Sequence, residues 1–212
     1  MAPLITSSNL NSRDHFKECD CHDHRHPNID EIYPNLFLGN LSAAQSAETL
    51  TEHGITHIIS VTSRPPSIPE ELHIKHKYFE IQDDHKADLL AVLPEAVLRL
   101  EWILKNGDGG LDGKGGRSKV LVHCCMGKSR SGAVVVGYAM KLERCGYEQA
   151  LEKVKGHRHI VRPNSHFVEL LRAWGRMRYS PWCGEDLPKP KKVVVESEWV
   201  EIEGGGEDEW EM

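Results

Sequence analysis

The amino-acid sequence predicts a single α/β domain, in which helices cover both faces of a central mixed sheet of about four or five strands. Short apolar segments typical of buried strands alternate along the chain with segments of helical periodicity. Hydrophobic residues make up 39% and charged residues 27% of the 212 residues, which excludes collagen, coiled-coil and wholly disordered classes. We expect a disordered arm over residues 1–28, the domain over residues 29–180 and a flexible acidic tail over residues 181–212.

The first half of the domain is predicted to contain two paired strands, a helix and two further strands. Residues 31–39 favour two short strands joined by a Pro-Asn turn. Ser42 is predicted to cap a helix over residues 43–52. Residues 56–61 (THIISV) and 73–81 are predicted to form the next two strands.

The second half begins with a predicted helix over residues 89–104, whose leucines recur with helical spacing. Asp88 is predicted to cap this helix. Proline lacks the N–H that a helix interior requires, so the regular part of the helix is expected to start at Pro94, with the proline in its first turn. A glycine-rich surface loop is expected over residues 106–118. The remaining elements are predicted to be a buried strand at 119–123 and helices at 129–143, 147–155 and 164–177.

The negative charge of the chain is concentrated in its C-terminal tail. The formal net charge is -6, and residues 196–212 carry eight acidic and no basic residues, so the rest of the chain carries +2. An acidic tail repels nucleic acid and anionic membranes, and we expect neither as a partner. The longest apolar run, residues 133–140, is too short to cross a bilayer, and no signal peptide follows Met1. We therefore expect a cytoplasmic or nuclear protein whose six cysteines are reduced.

A cluster of metal-ligating residue types lies in the predicted arm. It consists of Cys19, Cys21, His22, His24 and His26. Zinc binding is one interpretation, but the spacing is more compressed than in standard four-ligand sites. We favour a polar arm that holds no metal, and we expect no cofactor.

The segment of residues 120–131 (VLVHCCMGKSRS) carries the residue types of a nucleophilic site. A predicted strand ends at His123, and a short loop leads into the next helix. Such a loop directs several backbone N–H groups at one point, near the positive end of the helix dipole, and binds a dianion. Cys124 lies at the start of the loop, where the same field favours the thiolate. Arg130 follows six residues later, and its planar guanidinium can bind two phosphate oxygens.

The other residues of this segment complete a site suited to attack on a phosphate monoester. Gly127 allows a tight turn, and the Ser131 hydroxyl can donate a hydrogen bond to the Cys124 sulfur. The segment is not a Walker A loop, because it lacks the GxxxxGK[ST] order. A buried structural cysteine is the alternative, but the complete His-Cys-x5-Arg-Ser run argues against it. The predicted phosphate-binding residues are Cys125, Met126, Gly127, Lys128, Ser129 and Arg130.

The run His123-Cys124-x5-Arg130-Ser131 resembles the signature of the dual-specificity group of the cysteine-dependent protein phosphatases. The resemblance covers residues 29–178, about seventy per cent of the chain. Four other segments resemble family motifs and occur in the family's order, namely residues 32–40 (IYPNLFLGN), 54–61 (GITHIISV), 83–90 (DDHKADLL) and 158–174 (RHIVRPNSHFVELLRAW).

The resemblance implies a role for each of five residues. Cys124 would be the nucleophile that forms a phosphocysteine intermediate, and Arg130 would bind the phosphoryl group. Ser131 would stabilise the thiolate as it leaves, and His123 would orient the loop and help to lower the thiol pKa. Asp83 would be the general acid that protonates the leaving oxygen, and then the base that activates water.

The assignment of the general acid rests on spacing. Asp83 precedes Asp88 by five residues, as in the family, whereas Asp84 is interpreted as a solvated loop charge. Asn164 matches a position that supports the loop in the family. Cys125 is interpreted as a packing residue, because a disulfide between adjacent cysteines is strained.

Two features bear on the substrate. Lys128 occupies a loop position at which phosphoinositide-directed relatives tend to carry lysine, which makes a lipid substrate an alternative. Little sequence precedes Tyr33, so we expect a shallow pocket that admits phosphoserine and phosphothreonine as well as phosphotyrosine. The sequence therefore predicts metal-free hydrolysis of phosphoproteins. The alternatives are the same chemistry on a phosphoinositide or an RNA 5′ phosphate, and a non-catalytic module that binds phosphosites.

The acidic tail contains one candidate partner motif. Trp199 and Ile202 are three residues apart, which resembles the short W-x-x-[ILV] motif that docks onto ubiquitin-like autophagy modifiers. Such a segment adds a strand to a sheet edge while the two side chains fill pockets. We favour a solubilising acidic tail, or a tail whose Trp199 packs back on the domain, because four-residue motifs recur by chance.

A peptide covering residues 194–205 tests this motif. If the motif docks, the peptide binds such a modifier with a Kd of roughly 1 μM to 100 μM, and Trp199→Ala removes the binding because one pocket is left empty. Calorimetry measures both. No heat of binding at high micromolar peptide would exclude the motif, and deletion of residues 196–212 leaves aryl phosphate hydrolysis unchanged on either interpretation.

Overall fold

The structure is a computed structural model that describes residues 26–107 and 118–179. Most of the predicted arm, nearly all of the glycine-rich loop and the acidic tail with its Trp199–Ile202 motif lie outside the described residues. Of the Cys/His cluster in the arm, the described part of the chain includes only His26.

The described residues form five strands and six α-helices in the alternating order that the sequence predicts. The strands are β1 (Ile29–Tyr33), β2 (Leu36–Gly39), β3 (His57–Thr62), β4 (Lys75–Glu80) and β5 (Val120–His123). The helices are α1 (Leu41–Gln45), α2 (Ala47–His53), α3 (Leu89–Asn106), α4 (Arg130–Glu143), α5 (Tyr147–His157) and α6 (Ser165–Arg176). A short 3₁₀ turn, Glu70–Leu72, precedes β4.

The five strands form one mixed sheet in the order β1-β2-β5-β3-β4. β1 runs antiparallel to β2, and the remaining neighbours are parallel. The prediction of a mixed sheet of four or five strands is therefore confirmed. β5 lies at the centre, so the loop that follows His123 leaves the sheet between its two neighbours, where α/β proteins place their ligand sites.

Apolar side chains of the strands alternate between two clusters, one on each face of the sheet. On one face Phe37, Ile58 and Leu121 pack with Ala44 and Leu50 of the first two helices. On the other face the neighbouring strand residues pack against the remaining helices; the strand residues of this cluster include Leu36, Leu38, Ile59, Val61, Val120 and Val122. Helices on both faces are thus confirmed, and burial of each such side chain stabilises the fold by about 1.5–3 kcal/mol.

Helix α4 is the most buried helix of the fold. Every residue from Arg130 to Met140 is buried, because the helix lies against the sheet and also contacts α3, α5 and α6. This burial explains the apolar run of residues 133–140, which the sequence analysis judged too short for a membrane span. In the part of the chain that the structure describes, no helix combines the length and hydropathy needed to cross a membrane.

The prediction that Ser42 caps a single helix over residues 43–52 is wrong. Asn40 caps α1 instead, because its Oδ1 accepts a hydrogen bond from the Ala43 N–H at 2.9 Å. The helix then ends at Ser46, whose Oγ accepts from the Thr49 N–H at 3.1 Å and starts α2. Two capping side chains six residues apart favour two short helices over one continuous helix.

The prediction that Pro94 lies in the first turn of its helix is also wrong. Asp88 caps α3 as predicted, with its Oδ1 accepting from the Ala91 N–H at 3.2 Å, and the helix begins at Leu89. Pro94 is therefore in the second turn, where it leaves the Leu90 carbonyl without its usual helical donor. The helix tolerates one missing hydrogen bond because its apolar face is buried along most of its length.

Close packing between α4 and its neighbours predicts opposite effects for two helical glycine substitutions. A Cβ at Gly137 would lie 2.7 Å from Leu93 Cδ1 and 3.3 Å from Leu171 Cδ2, so Gly137→Ala should destabilise the fold by about 1–3 kcal/mol through overpacking. A Cβ at Gly156 in α5 meets nothing within 4 Å, so Gly156→Ala should stabilise by about 0.5–1 kcal/mol. Urea denaturation measures both, and shifts of the same sign would contradict this packing.

Candidate active site

The candidate site is built on residues 124–130, called here the site loop, which connects β5 to α4. The loop turns at Gly127, whose φ of 63° lies in the left-handed region. A Cβ at this position would also lie 2.3 Å from the Gly39 carbonyl oxygen of β2. Glycine is therefore required here both by conformation and by space, as the sequence analysis expected for a tight turn.

The carbonyl groups of the site loop are held from outside the loop. The Cys125 carbonyl accepts from the Leu41 N–H at 3.0 Å, and the Lys128 carbonyl accepts from the Arg162 N–H at 2.9 Å. Between them, the Gly127 carbonyl accepts from the Arg158 Nε–H at 2.9 Å. Since the two ends of a peptide group point in opposite directions, carbonyls held outward leave N–H groups free to face one point.

Cys124 lies where these N–H groups converge and is only 2% exposed. Burial by itself would raise the pKa of the thiol. The Arg130 charge, the Ser131 hydroxyl and the N–H groups of Ser131 and Lys128 outweigh burial and hold the pKa below its ordinary value. The Ser131 Oγ–H donates to Sγ at 3.1 Å, as the sequence analysis anticipated. The thiolate is thus the favoured form of this side chain.

Arg130 begins α4 and is buried beside the thiol. Its Nη1 donates to the Ile81 carbonyl at 3.4 Å, and the Cys125 side chain also contacts the guanidinium. Its Nε is buried without a hydrogen-bond partner among the described residues, and lies 3.8 Å from Asp83 Oδ2. A buried guanidinium with an unsatisfied donor is suited to binding an anion.

The structure brings Asp83, and not Asp84, to the site loop. Asp83 Oδ1 accepts from the Ser129 Oγ–H at 2.6 Å and from the Asn164 Nδ2–H at 2.8 Å. Asp84 instead accepts from the Lys86 N–H at 2.8 Å, a local turn contact at the surface. The geometry therefore favours Asp83 of the two adjacent carboxylates that the sequence offered.

The sequence predicted Ser129 to bind phosphate as part of the site loop, but the structure also gives its side chain a contact with Asp83 that the sequence did not predict. Ser129 is the N-cap residue of α4, yet its hydroxyl makes no capping hydrogen bond. The hydroxyl instead donates to Asp83 and accepts from the Asn164 N–H at 3.1 Å. A serine before a helix is read from sequence as a cap, so only the fold could reveal this use.

Arg158 is a residue that the sequence analysis did not assign. It is 2% exposed, and its Nε donates to the Gly127 carbonyl at 2.9 Å while Nη2 donates to the Met126 carbonyl at 3.4 Å. Its Nη1 forms an ion pair with Asp30 Oδ2 at 2.5 Å. Arg158 therefore fixes the middle of the site loop from the side opposite to the thiol, and Asp30 compensates its charge.

His123 is completely buried and uncharged. Burial lowers its pKa to about 3, and the nearby charge of Arg130 acts in the same direction. A neutral imidazole contributes no positive charge to the thiolate, so the expected help of His123 in lowering the thiol pKa would act through the geometry of the loop. Its Nδ1 lies 3.4 Å from the Cys124 carbonyl oxygen, so the loop-orienting role is the one that its geometry fits.

The side chain of Lys128 makes no hydrogen bond or ion pair with other described residues, while its backbone is fixed on both sides, by Arg162 and by the Cys124 sulfur. Within residues 26–107 and 118–179, no group of three or more His, Cys, Asp or Glu side chains is arranged to hold a metal ion.

Comparison with known proteins gives the family of this chain. The model of the dual specificity phosphatase catalytic domain matches residues 36–177. The chain therefore belongs to the dual specificity phosphatase family, which confirms what the run of residues 123–131 predicted. This match includes Asp83, the whole site loop and Asn164, which contacts both.

Curated relatives and solved structures agree with this assignment. Dual specificity protein phosphatase MPK-4 of Drosophila melanogaster is 38% identical over 159 residues, 73% of this chain and 38% of that protein. Human dual specificity protein phosphatase 1 is 32% identical over 166 residues, 78% of this chain and 42% of that protein. This chain thus spans less than half the length of both relatives.

Two solved structures share the fold over most of the described residues. The phosphatase domain of Yvh1 from Chaetomium thermophilum has a TM-score of 0.63 and 30% identity, and the match covers 71% of this chain and 96% of that one. The human tyrosine phosphatase-like serine/threonine/tyrosine-interacting protein has a TM-score of 0.61 and 28% identity, with 72% and 98% covered.

The contacts of Asp83 predict how substitutions depend on the leaving group of an aryl phosphate. A proton donor matters most when the leaving oxygen is basic, so Asp83→Asn should slow a poor leaving group by ~10²–10⁴-fold and a good one far less. Ser129→Ala should show the same pattern at smaller amplitude, because Asp83 loses one of its two donors. Asp84→Asn is the matched control and should behave as wild type. A leaving-group dependence in Asp84→Asn instead would move the assignment by one residue.

Proposed function

We propose that this domain is a metal-independent protein phosphatase that hydrolyses phosphotyrosine and phosphoserine or phosphothreonine through a phosphocysteine intermediate. The observation that supports this most directly is the Cys124 thiol, whose pKa is held below its ordinary value although the residue is buried. A thiolate is the nucleophile that this chemistry needs, and a structural buried cysteine has no reason to be ionised.

In the first step the Cys124 thiolate attacks the phosphorus of the bound monoester. The S–P bond forms as the bond from phosphorus to the leaving oxygen breaks, and Asp83 gives its proton to that oxygen. The unsatisfied Nε of Arg130 and the loop N–H groups bind the equatorial oxygens, where charge is spread in the transition state. Because these donors are fixed before substrate arrives, little reorganisation is needed during the reaction.

In the second step water hydrolyses the phosphocysteine. The oxygen of the water bonds to phosphorus as the S–P bond breaks, and Asp83, now a carboxylate, takes the proton that the water loses. The electron pair returns to sulfur, where the Ser131 hydroxyl already donates at 3.1 Å and stabilises the departing thiolate. This transfer leaves Asp83 protonated again, and release of inorganic phosphate restores the starting state.

The protein substrate is proposed from the family, whose relatives are named as dual specificity protein phosphatases. A phosphoinositide remains the second candidate, because Lys128 is a cation on the site loop with no partner among the described residues. The non-catalytic alternative is disfavoured, since Cys124, Arg130 and Asp83 are all present. Side-by-side turnover of phosphopeptides, phosphoinositides and triphosphorylated RNA separates the substrate classes.

The thiol chemistry is tested by Cys124→Ser, which replaces the thiolate with a hydroxyl that is not ionised near neutral pH. Turnover of an aryl phosphate should fall below about 1% of wild type. Tungstate binding measured by calorimetry should survive, because the N–H groups of the loop remain. A chelator should leave the wild-type rate unchanged. Retained turnover in Cys124→Ser would refute the thiol mechanism, and strong inhibition by the chelator would indicate a metal phosphatase.

A further inference from the structure

Three side chains form a hydrogen-bonded row that leads from the edge of the sheet to the site loop. Ser60 Oγ lies 2.7 Å from His76 Nε2 and 2.6 Å from His123 Nε2. The three residues are on the neighbouring strands β4, β3 and β5, and Ser60 is directly paired with His123. Ser60 and His123 are completely buried, whereas His76 is exposed on the edge strand. This row of His76, Ser60 and His123 is called here the histidine relay.

The direction of the hydrogen bonds in the relay follows from its inner end. His123 Nδ1 lies 3.4 Å from the Cys124 carbonyl oxygen, which can only accept, so Nδ1 must carry the proton. Because His123 is uncharged, its Nε2 then has a lone pair and accepts from the Ser60 hydroxyl. The Ser60 oxygen in turn accepts from the His76 Nε2–H. The opposite direction would set the Nδ1 lone pair against the carbonyl oxygen.

The relay completes the set of contacts that hold the carbonyls of the nucleophile and the site loop. The carbonyls of Cys125, Met126, Gly127 and Lys128 are each held by a donor from α1 or from Arg158 and Arg162. The carbonyl of Cys124 comes first in the series, and its donor is His123. The tautomer of His123 therefore decides whether the peptide group that follows the nucleophile has an outward partner.

We propose that Ser60 and His76 are positioning residues that hold His123 in the Nδ1–H tautomer and thereby fix the peptide group after Cys124. This inference rests on the proposed function, since it assigns the relay to the geometry of the same nucleophile. Neither residue touches the substrate. The relay acts through His123 on the direction of the loop N–H groups, and so on the ionisation of the Cys124 thiol.

The wild-type protein tests the direction of the relay without any substitution. Nitrogen-15 NMR of the imidazole rings distinguishes a protonated from an unprotonated ring nitrogen. His123 should show a protonated Nδ1 and an unprotonated Nε2, with no change of this tautomer across neutral pH. A protonated Nε2 on His123 would overturn the proposal, whatever the variants below do.

Paired substitutions test the consequence for the nucleophile. Ser60→Ala removes the donor to His123 and leaves a buried acceptor unsatisfied. The kcat for an aryl phosphate and the rate of Cys124 alkylation by iodoacetamide at fixed mildly acidic pH should each fall on the order of tenfold, with KM within about twofold. Ser60→Thr keeps the hydroxyl and should recover most of both rates.

The exposed end of the relay offers a milder pair. His76→Gln places an N–H near the position of Nε2 and should stay within about twofold of wild type, whereas His76→Met has no donor and should lower both rates by about threefold. His157→Gln, on the exposed side of α5, is the control for histidine loss and should match wild type. Equal loss in His76→Gln and His76→Met, or wild-type alkylation in Ser60→Ala, would overturn the proposal.

The readouts also separate this inference from the proposed function. Imidazole NMR and thiol alkylation need no turnover, so they report on the relay even if no phosphate ester is hydrolysed. A protein that is inactive on every substrate but shows the expected tautomer and alkylation rates would refute the proposed function and leave the relay intact. Normal turnover with the wrong tautomer would do the reverse.

Discussion

A loop that presents successive N–H groups to one anion must find partners for its carbonyl groups elsewhere. In this domain those partners come from distant parts of the chain. The N-terminus of α1 supplies the donor for the Cys125 carbonyl, and the connection between α5 and α6 supplies Arg158 and the N–H of Arg162. The conformation of the site loop therefore depends on how α1 and the connection between α5 and α6 pack around it.

The second demand on the site is to ionise a thiol that is almost completely buried. Burial favours the neutral thiol of Cys124, so the protein must oppose it with nearby positive charge and hydrogen bonds. Arg130 meets this demand, and the thiolate in turn contributes to raising the pKa of the guanidinium above its ordinary value, although burial alone would lower it. Each group thus stabilises the charged form of the other. The lowered pKa of the Cys124 thiol and the buried, unsatisfied Nε of Arg130 are therefore two properties of one electrostatic pair.

The sequence was most informative where chemistry and neighbourhood coincide in the chain. The signature residues Cys124, Arg130 and Ser131 lie within eight positions of the chain. Because their spacing is itself the family's signature, the site loop and the family could be predicted. The side-chain contacts of Ser129 and Arg158 could not, because the partner of Ser129 is 46 positions away and the carbonyl that Arg158 Nε binds is 31 positions away. The same reason explains the wrong helix cap at Ser42, since Asn40 is also fixed by its contacts with His26 and Asn28 before β1.

The placement of the general acid shows how far such long-range contacts extend into the fold. Asn164 caps α6 through its Oδ1, which accepts from the Phe167 N–H at 2.8 Å, and the same side chain donates to Asp83 through Nδ2. α6 is held against α4 by buried side chains such as Trp174, whose indole N–H donates to the Gly137 carbonyl at 3.3 Å. Because α4 begins at Arg130, the helix that carries the guanidinium and the helix whose cap orients the carboxylate are packed as one body. The position of Asp83 relative to Arg130 therefore depends on the packing of α4 against α6 as well as on the chain segment that joins β4 to α3.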